Sequence, residues 1–297
     1  MLRSMYAGIS GMKSFQTKLD VVGNNIANVN TTGFKKGRAT FQDMMSQPIS
    51  GASAPTDIRG GVNPSQVGTG VQLGTVDNIH TGGNRQTTER PLDLQLEGDG
   101  MFVFARNIAG NLPVDNLGDT EMQYSRAGNL YLDNDGNIVN PNGQYLMGFT
   151  TTGEEPSSID DIDHGNVGII NIPDGADSIS IQGNGLVTYL ENGETRIAGQ
   201  IALSKFANAG GLDKVGANMF QESQNDGQIE TGENDSIFFQ PESGGTASLV
   251  SGALEMSNVD LSEEFTEMIT AQRGFQANTR IITTSDEILQ ELVNLKR

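Results

Sequence analysis

The chain has two histidines, His80 and His164, and the second follows Asp161 and Asp163 closely. An imidazole held by carboxylates is the arrangement of a general base. An enzyme built on such a base would also show a Gly-x-Ser-x-Gly elbow, a His-Glu-x-x-His helix or a phosphate-binding loop. None of these occurs, so the segment 151–165, with Glu154, Glu155, Asp160, Asp161 and Asp163, reads as a solvated acidic excursion that contains a histidine. Asp133-Asn134-Asp135-Gly136-Asn137 has the look of a calcium loop. An EF-hand needs glycine at its sixth position and glutamate at its twelfth, where this chain has Ile138 and Gln144. An Asx-Gly hairpin turn is the simpler reading. Pairs such as Asp160/Asp161 are too common in an acidic chain to mark a glycosidase. Gly68-Thr69-Gly70 and Gly98-Asp99-Gly100 lack the third glycine of a dinucleotide fingerprint. No catalytic, cofactor-binding or metal residue is assigned, and the expectation is a protein that is not an enzyme.

Composition sets the same limits. Cysteine is absent, which removes disulfides, thiolate catalysis and Cys-based zinc sites. The 297 residues are 35% hydrophobic and include 38 glycines, so the chain is turn-rich yet able to bury a core. The net charge of −19 is unevenly spread. Residues 1–40 hold six basic groups (Arg3, Lys13, Lys18, Lys35, Lys36, Arg38) against Asp20, while 260–297 hold seven acids against four bases. The acidic body argues against nucleic acid as a partner. No apolar run approaches the ~20 residues of a transmembrane helix. Gly8, Ser10, Gly11 and Lys13 interrupt any apolar core of a signal peptide, so export is expected to use no cleaved signal.

What can be positioned, then, is a pair of helix seams rather than a reactive group. Near the N-terminus, Met5, Met12, Leu19 and Ile26 recur every seven residues, with Phe15, Val22 and Val29 three places after the last three. That alternation is a coiled-coil seam. Leu261, Phe265, Met268, Phe275, Ile282, Leu289 and Val293 form a second one, opened by Asp260 and Glu263 in capping-box spacing. The first helix is intrinsically weak, since Gly8, Gly11 and Gly23 each cost roughly 1 kcal/mol relative to alanine. Its face of Ser4, Ala7, Gly8 and Gly11 would admit another helix closely. The expectation is that this end is largely unstructured in the monomer, folds on assembly, stops near Asn28–Asn30 and has Gly33 as a turn glycine.

Between the seams the pattern changes. Residues 35–90 read as an extended connector in which Phe41, Met44 and Met45 continue a short amphipathic piece and 67–73 and 76–80 are strands. Alternation at Leu92, Leu94 and Leu96, and at Phe102 and Phe104, starts a series of short strands separated by Gly and Asn. The fold class is therefore mainly β with terminal α: an antiparallel sandwich or barrel-like body plus N- and C-terminal helices in a coiled-coil-like axial domain. The expected domains are 1–34 with 258–297, a connector of 35–90 with 241–257, and an outer β domain over 91–240.

Ser10-Gly11-Met12 and Asn24-Asn25-Ile26-Ala27-Asn28-Val29-Asn30-Thr31-Thr32-Gly33-Phe34-Lys35 resemble the N-terminal signature of the bacterial flagellar rod and hook proteins. Gly252-Ala253-Leu254-Glu255-Met256-Ser257-Asn258-Val259-Asp260-Leu261 and 268–278 resemble that family's other end, and 98–103 and 124–128 its core domain. The resemblance makes the two seams, with Asn24, Asn25, Asn28, Gly33 and Phe34, assembly residues. It implies a helical homopolymer with axial helices inside and β domains outside, and passage through the flagellar type III export apparatus. It also implies rod, hook cap and hook–filament junction proteins as partners, an extracellular place in the hook and basal body, and no cofactor. Ser50–Ser53, Arg59–Pro64 and Pro91–Leu94 are most similar to hook proteins, whose flexible tube transmits torque from rod to filament. The distal-rod protein is the alternative, because 297 residues leave little room for the extra outer domain many hook proteins carry; insertions near 105–121 and 150–166 would vary the outer surface. A secreted carbohydrate-binding protein or enzyme would need clustered aromatics, yet aromatics are 6% and tryptophan is absent.

Overall fold

The computed structural model describes residues 2–56, 58–106, 112–113, 121–151, 162–173, 175–227, 229 and 237–295. The chain divides into two compact units, one of 1–28, 36–79 and 259–297, the other of 29–35 and 80–258.

The first unit holds helix α1 (Leu2–Ala27), helix α2 (Leu261–Leu295) and a long β ribbon. The helices run antiparallel: Gly8 faces Ile282, Gly11 faces Asn278, Phe15 faces Gly274, and Lys18 pairs with Glu267 at 3.3 Å. The two seams allow pairing of the chain's ends within one copy and between copies, and here α2 of the same chain packs on α1. Where α1 ends, the Asn28 amide side chain donates to the Asn24 carbonyl at 2.9 Å and satisfies a last-turn acceptor. Asp260 caps α2, its Oδ1 accepting from the Ser262 N–H at 2.8 Å. Glu263 does not close a capping box; its carboxylate meets Lys36 at 2.8 Å instead.

The ribbon consists of β1 (Gly37–Asp43), β2 (Ser46–Ser50), β3 (Ser65–Gly68) and β4 (Val71–Asn78). β1 pairs with β4 and β2 with β3, both antiparallel, and bridges at Ser53–Val62 and Thr56–Arg59 carry the pairing to the tip. Phe41, expected in a short amphipathic piece, lies in β1 opposite Leu73, and Met44 and Met45 follow the strand. Their spacing suits a helix, but cross-strand pairing with residues some thirty positions away outweighs it. The base of the ribbon packs on α1: Val71 N–H approaches Ser10 Oγ at 3.4 Å, and the Phe15 and Phe41 rings meet edge-on at 6.1 Å.

The second unit is a β body. One antiparallel sheet runs through 178–181, 186–191, 194–201, 145–151, 101–105, 122–125, 219–221 and 213–216. Both ends of that path are unpaired among the described residues, so the sheet is not closed into a barrel. The central strand, Met101–Ala105, is buried on both faces. Phe102 and Phe104 join a core with Leu94, Leu130, Ile138 and Leu146, while Met101, Val103 and Ala105 join a second with Tyr124, Met147 and Phe149. Burying each such side chain contributes about 1.5–3 kcal/mol. At the Asp133 turn, Asp133 Oδ1 accepts from Asn134 N–H and the Asp133 carbonyl from Gly136 N–H, as in a hairpin. Of the acidic excursion, 152–161 lie outside the described residues, as does most of the segment 105–121. Residues 162–169 are a strand paired with 145–151, so the excursion ends earlier than the sequence pattern suggests.

Candidate assembly surface

The contact between α1 and α2 is centred on small side chains. Gly8, Gly11 and Ser14 are buried on α1, as are Val22 and Asn25; Glu264, Ala271 and Ser285 are buried on α2. A Cβ at Gly11 would lie 2.7 Å from the Asn278 amide, and one at Gly274 would lie 2.6 Å from the Phe15 ring. Such close backbones bring the seam side chains Phe15 and Ile282 directly against Gly274 and Gly8 of the opposite helix. Met5, Met12, Phe15, Leu19 and Ile26 are half-buried, as are Met268, Phe275, Ile282 and Leu289. Leu261, Phe265 and Val293 are exposed, Phe265 by 49%. With Ile269, Ile281, Ile288 and Leu292 they leave exposed apolar side chains in two groups on α2, one over 261–269 and one over 281–293, and Tyr6 and Ile9 add a pair on α1. The ribbon adds Met45, Ile49 and the fully exposed Ile58. Exposed apolar side chains in number make these faces candidates for interaction. Among the described residues no helix is long and apolar enough to cross a membrane.

The asparagine-rich signature divides between the two units. Asn25 belongs to the first and ties three elements of it: its Nδ2 donates to Glu264 Oε2 at 3.1 Å and to the Gly37 carbonyl at 2.9 Å, and its Oδ1 accepts from Gly37 N–H at 3.0 Å. Burial pushes the Glu264 carboxyl above its ordinary range, against the opposing pull of Asn25 and Lys36. Asn24 is exposed and Asn28 half-buried.

Val29 to Lys35 belong to the β body, where they form a buried clamp with Glu255. Lys35 Nζ lies 2.6 Å from Glu255 Oε1, the two side chains being 0% and 1% exposed, and donates to the Thr81 carbonyl at 2.7 Å. Arg126 reaches Glu255 Oε2 at 3.4 Å, and Gly83 N–H donates to Oε1 at 2.9 Å. Gly33, at φ 69°, donates its N–H to the Glu255 carbonyl at 2.8 Å. Lys214 covers the Phe34 ring at 5.1 Å and donates to the Lys35 carbonyl, while Asn218 donates to the Thr32 carbonyl. Val29 is half-buried. Burial lowers the Lys35 ammonium below its usual value, with Glu255 pulling it back up. Glu255, Arg126 and Asn278 lie within the stretches that carry the family resemblance, but no spacing assigns any of them a role. A lone acid set among Ala253, Leu254 and Met256 is the signal that points to the first of them.

Among the described residues this arrangement offers packing faces. The comparisons agree with it. The family model described as flagella basal body rod protein matches residues 5–35, the flagellar hook protein FlgE/F/G D1 domain 95–189, and the flagellar basal body rod FlgEFG protein C-terminal 250–295. The chain is similar to the flagellar basal-body rod protein FlgG of Bacillus subtilis, 51% identical over 298 residues and 100% of each chain. The rod protein FlgG of Caulobacter vibrioides is 34% identical over 99% of this chain and 100% of that one. The flagellar hook protein FlgE of Borreliella burgdorferi is 32% identical over a 448-residue alignment spanning 100% of each. Its two helical ends, the segment that clamps onto Glu255 and the β body between them place this chain in the flagellar basal-body rod and hook protein family.

Proposed function

We propose that this chain is a distal-rod subunit that polymerises with copies of itself through its terminal helices and β ribbon. The observation that carries the reading is the end-to-end 51% identity with a rod protein, over an alignment of 298 residues. The hook similarity is weaker and runs over 448 aligned positions, which leaves this chain without the additional length of that relative. The exposed apolar residues of α2 and the coreless ribbon give the polymer its contacts, because a two-stranded hairpin is marginal by itself. In this reading the seam residues are assembly residues, and the protein acts by transmitting load rather than by turnover. Export through the flagellar apparatus and contact with neighbouring rod and hook proteins complete the proposal. A hook subunit is the competing reading, and electron microscopy of polymer assembled from the purified chain separates the two. Straight, stiff tubes are expected; curved, supercoiled tubes would overturn the rod assignment in favour of the hook. Replacing Phe265 and Ile269 together by serine tests assembly itself: the monomer stays folded and polymer is lost. Unchanged polymerisation would refute the role of Phe265 and Ile269 in the contact.

A further inference from the structure

One cleft in the β body, of about 220 Å³, is lined by His80, Asp99, Met101, Arg126, Ser204 and Lys205. Two of its polar side chains are deeply buried, Arg126 at 5% exposure and Ser204 at 0%. Arg126 uses Nη1 on Glu255 and Nη2 on the Gly98 carbonyl at 2.7 Å, and its Nε–H meets no partner among the described residues. The same holds for Ser204 Oγ and for both ring nitrogens of His80. Lys205 turns to the carbonyls of Gly244 and Gly245. The local charge is also unbalanced, because Lys35 and Arg126 share the single carboxylate of Glu255. Asp99, at the cleft lining, is exposed and forms no ion pair with Lys35 or Arg126 among the described residues. Burial first, and then the nearby Lys35, Arg126 and Lys214, push His80 down to about 4, so at neutral pH it adds no charge and still carries one N–H donor.

We propose that this cleft binds a carboxylate, held by Arg126 Nε, Ser204 Oγ and the His80 imidazole. A buried guanidinium with a free N–H is matched best by a planar oxyanion. Water would satisfy the donors but leave the excess positive charge buried and unpaired, and a cationic ligand would add to it. The carboxylate has two sources: a small organic acid from solution, or an Asp or Glu side chain of a second copy. With 37 acidic residues against 18 basic, a second copy presents many candidates. That second source rests on the polymer reading above, but the binding site itself does not.

Nuclear magnetic resonance of the full chain, kept monomeric by dilution, gives the test. Only two histidines contribute imidazole signals, and His164, in the strand Ile162–Ile169, serves as the internal control. Near pH 6, sodium acetate is titrated against sodium chloride of equal ionic strength. A saturable shift of the His80 imidazole signals is expected with acetate alone, with His164 unmoved. Ser204→Ala should weaken acetate binding by about tenfold, the loss of one hydrogen bond to a charged group. Arg126→Gln should abolish it. If the two histidines move together with salt, or chloride acts as well as acetate, the cleft holds water or an adventitious ion only and the proposal fails. Assembled polymer then separates the sources. A His80 signal already at its acetate-bound position and deaf to acetate assigns the carboxylate to a second copy, whereas a responsive one assigns it to solution. Failure of the chain to polymerise would leave the outcome of the monomer titration standing.

Discussion

Glu255→Gln in the buried clamp is the most demanding test of how the signature segment is held. Glu255 balances Lys35 at 2.6 Å and receives Arg126 and Gly83 N–H as well. Glutamine keeps one acceptor oxygen and removes the charge. Lys35, wholly buried, is then an uncompensated ammonium, and breaking a buried pair this way costs about 3–5 kcal/mol. Lys35→Met should cost less, about 1–3 kcal/mol, because Glu255 retains Arg126 and a backbone donor. The double variant should then fall short of the sum by roughly 1–3 kcal/mol, the coupling expected of residues in one network. The assay is urea unfolding followed by tyrosine fluorescence. The chain lacks tryptophan, and Tyr124, Tyr131, Tyr145 and Tyr189 all lie in the β body. A loss below about 1 kcal/mol for Glu255→Gln, or strict additivity in the cycle, would refute the clamp as described.

Acid should loosen the same body through His80. Its folded pKa, about 4, lies below the unfolded 6.5, so the unfolded chain takes up the proton first. Stability is then full above pH 6.5 and falls toward pH 4, by at most about 3 kcal/mol. Urea midpoints at several pH values check this, and His80→Gln should remove that share of the slope; an identical profile in both proteins would contradict it. Gly33→Ala places a Cβ 2.6 Å from the Ala127 nitrogen at a left-handed φ, so a loss of about 1–3 kcal/mol is expected in thermal melts, and a neutral result would argue against the docked turn. On the helices the sign depends on position. Gly23 meets nothing within 4 Å among the described residues, so Gly23→Ala should gain about 0.5–1 kcal/mol of helix stability, while Gly274→Val collides with Phe15 and should lower the helical circular dichroism. Equal effects from the two substitutions would refute the close packing.

The sequence showed most clearly the features that are local in the chain. The seven-residue spacing from Met5 to Ile26, Asp260 ahead of α2 and the Asx-Gly turn at Asp133–Gly136 each act within a few residues, and all appear as elements. What lay out of reach is non-local. Lys35 and Glu255 stand 220 residues apart, and nothing in either neighbourhood says that one neutralises the other. The long pairing from Gly37–Asn78 to Thr56–Arg59 likewise joins stretches that look like broken connector when read alone, since Pro48, Pro55 and Pro64 interrupt any regular pattern. Seam spacing identified the helices and residues of their contact such as Phe15 and Ile282, but not the glycines those side chains meet, because glycine contributes nothing to an apolar count and everything to a close approach. Gly8 and Gly274 receive Ile282 and Phe15, and Gly11 meets the Asn278 amide.

Beyond Met45 the ribbon leaves α1 and continues with few buried side chains, ending near an Ile58 that is 99% exposed. At about 3.3 Å per residue the free arm from Met45 to Thr56 reaches roughly 35 Å. Because no core fixes its extent, the arm can gain or lose paired residues in both strands while the folding units stay as they are. Reach is thus a quantity this fold can alter independently of stability. Between neighbouring copies it would determine which subunit, near or one further along, the tip meets.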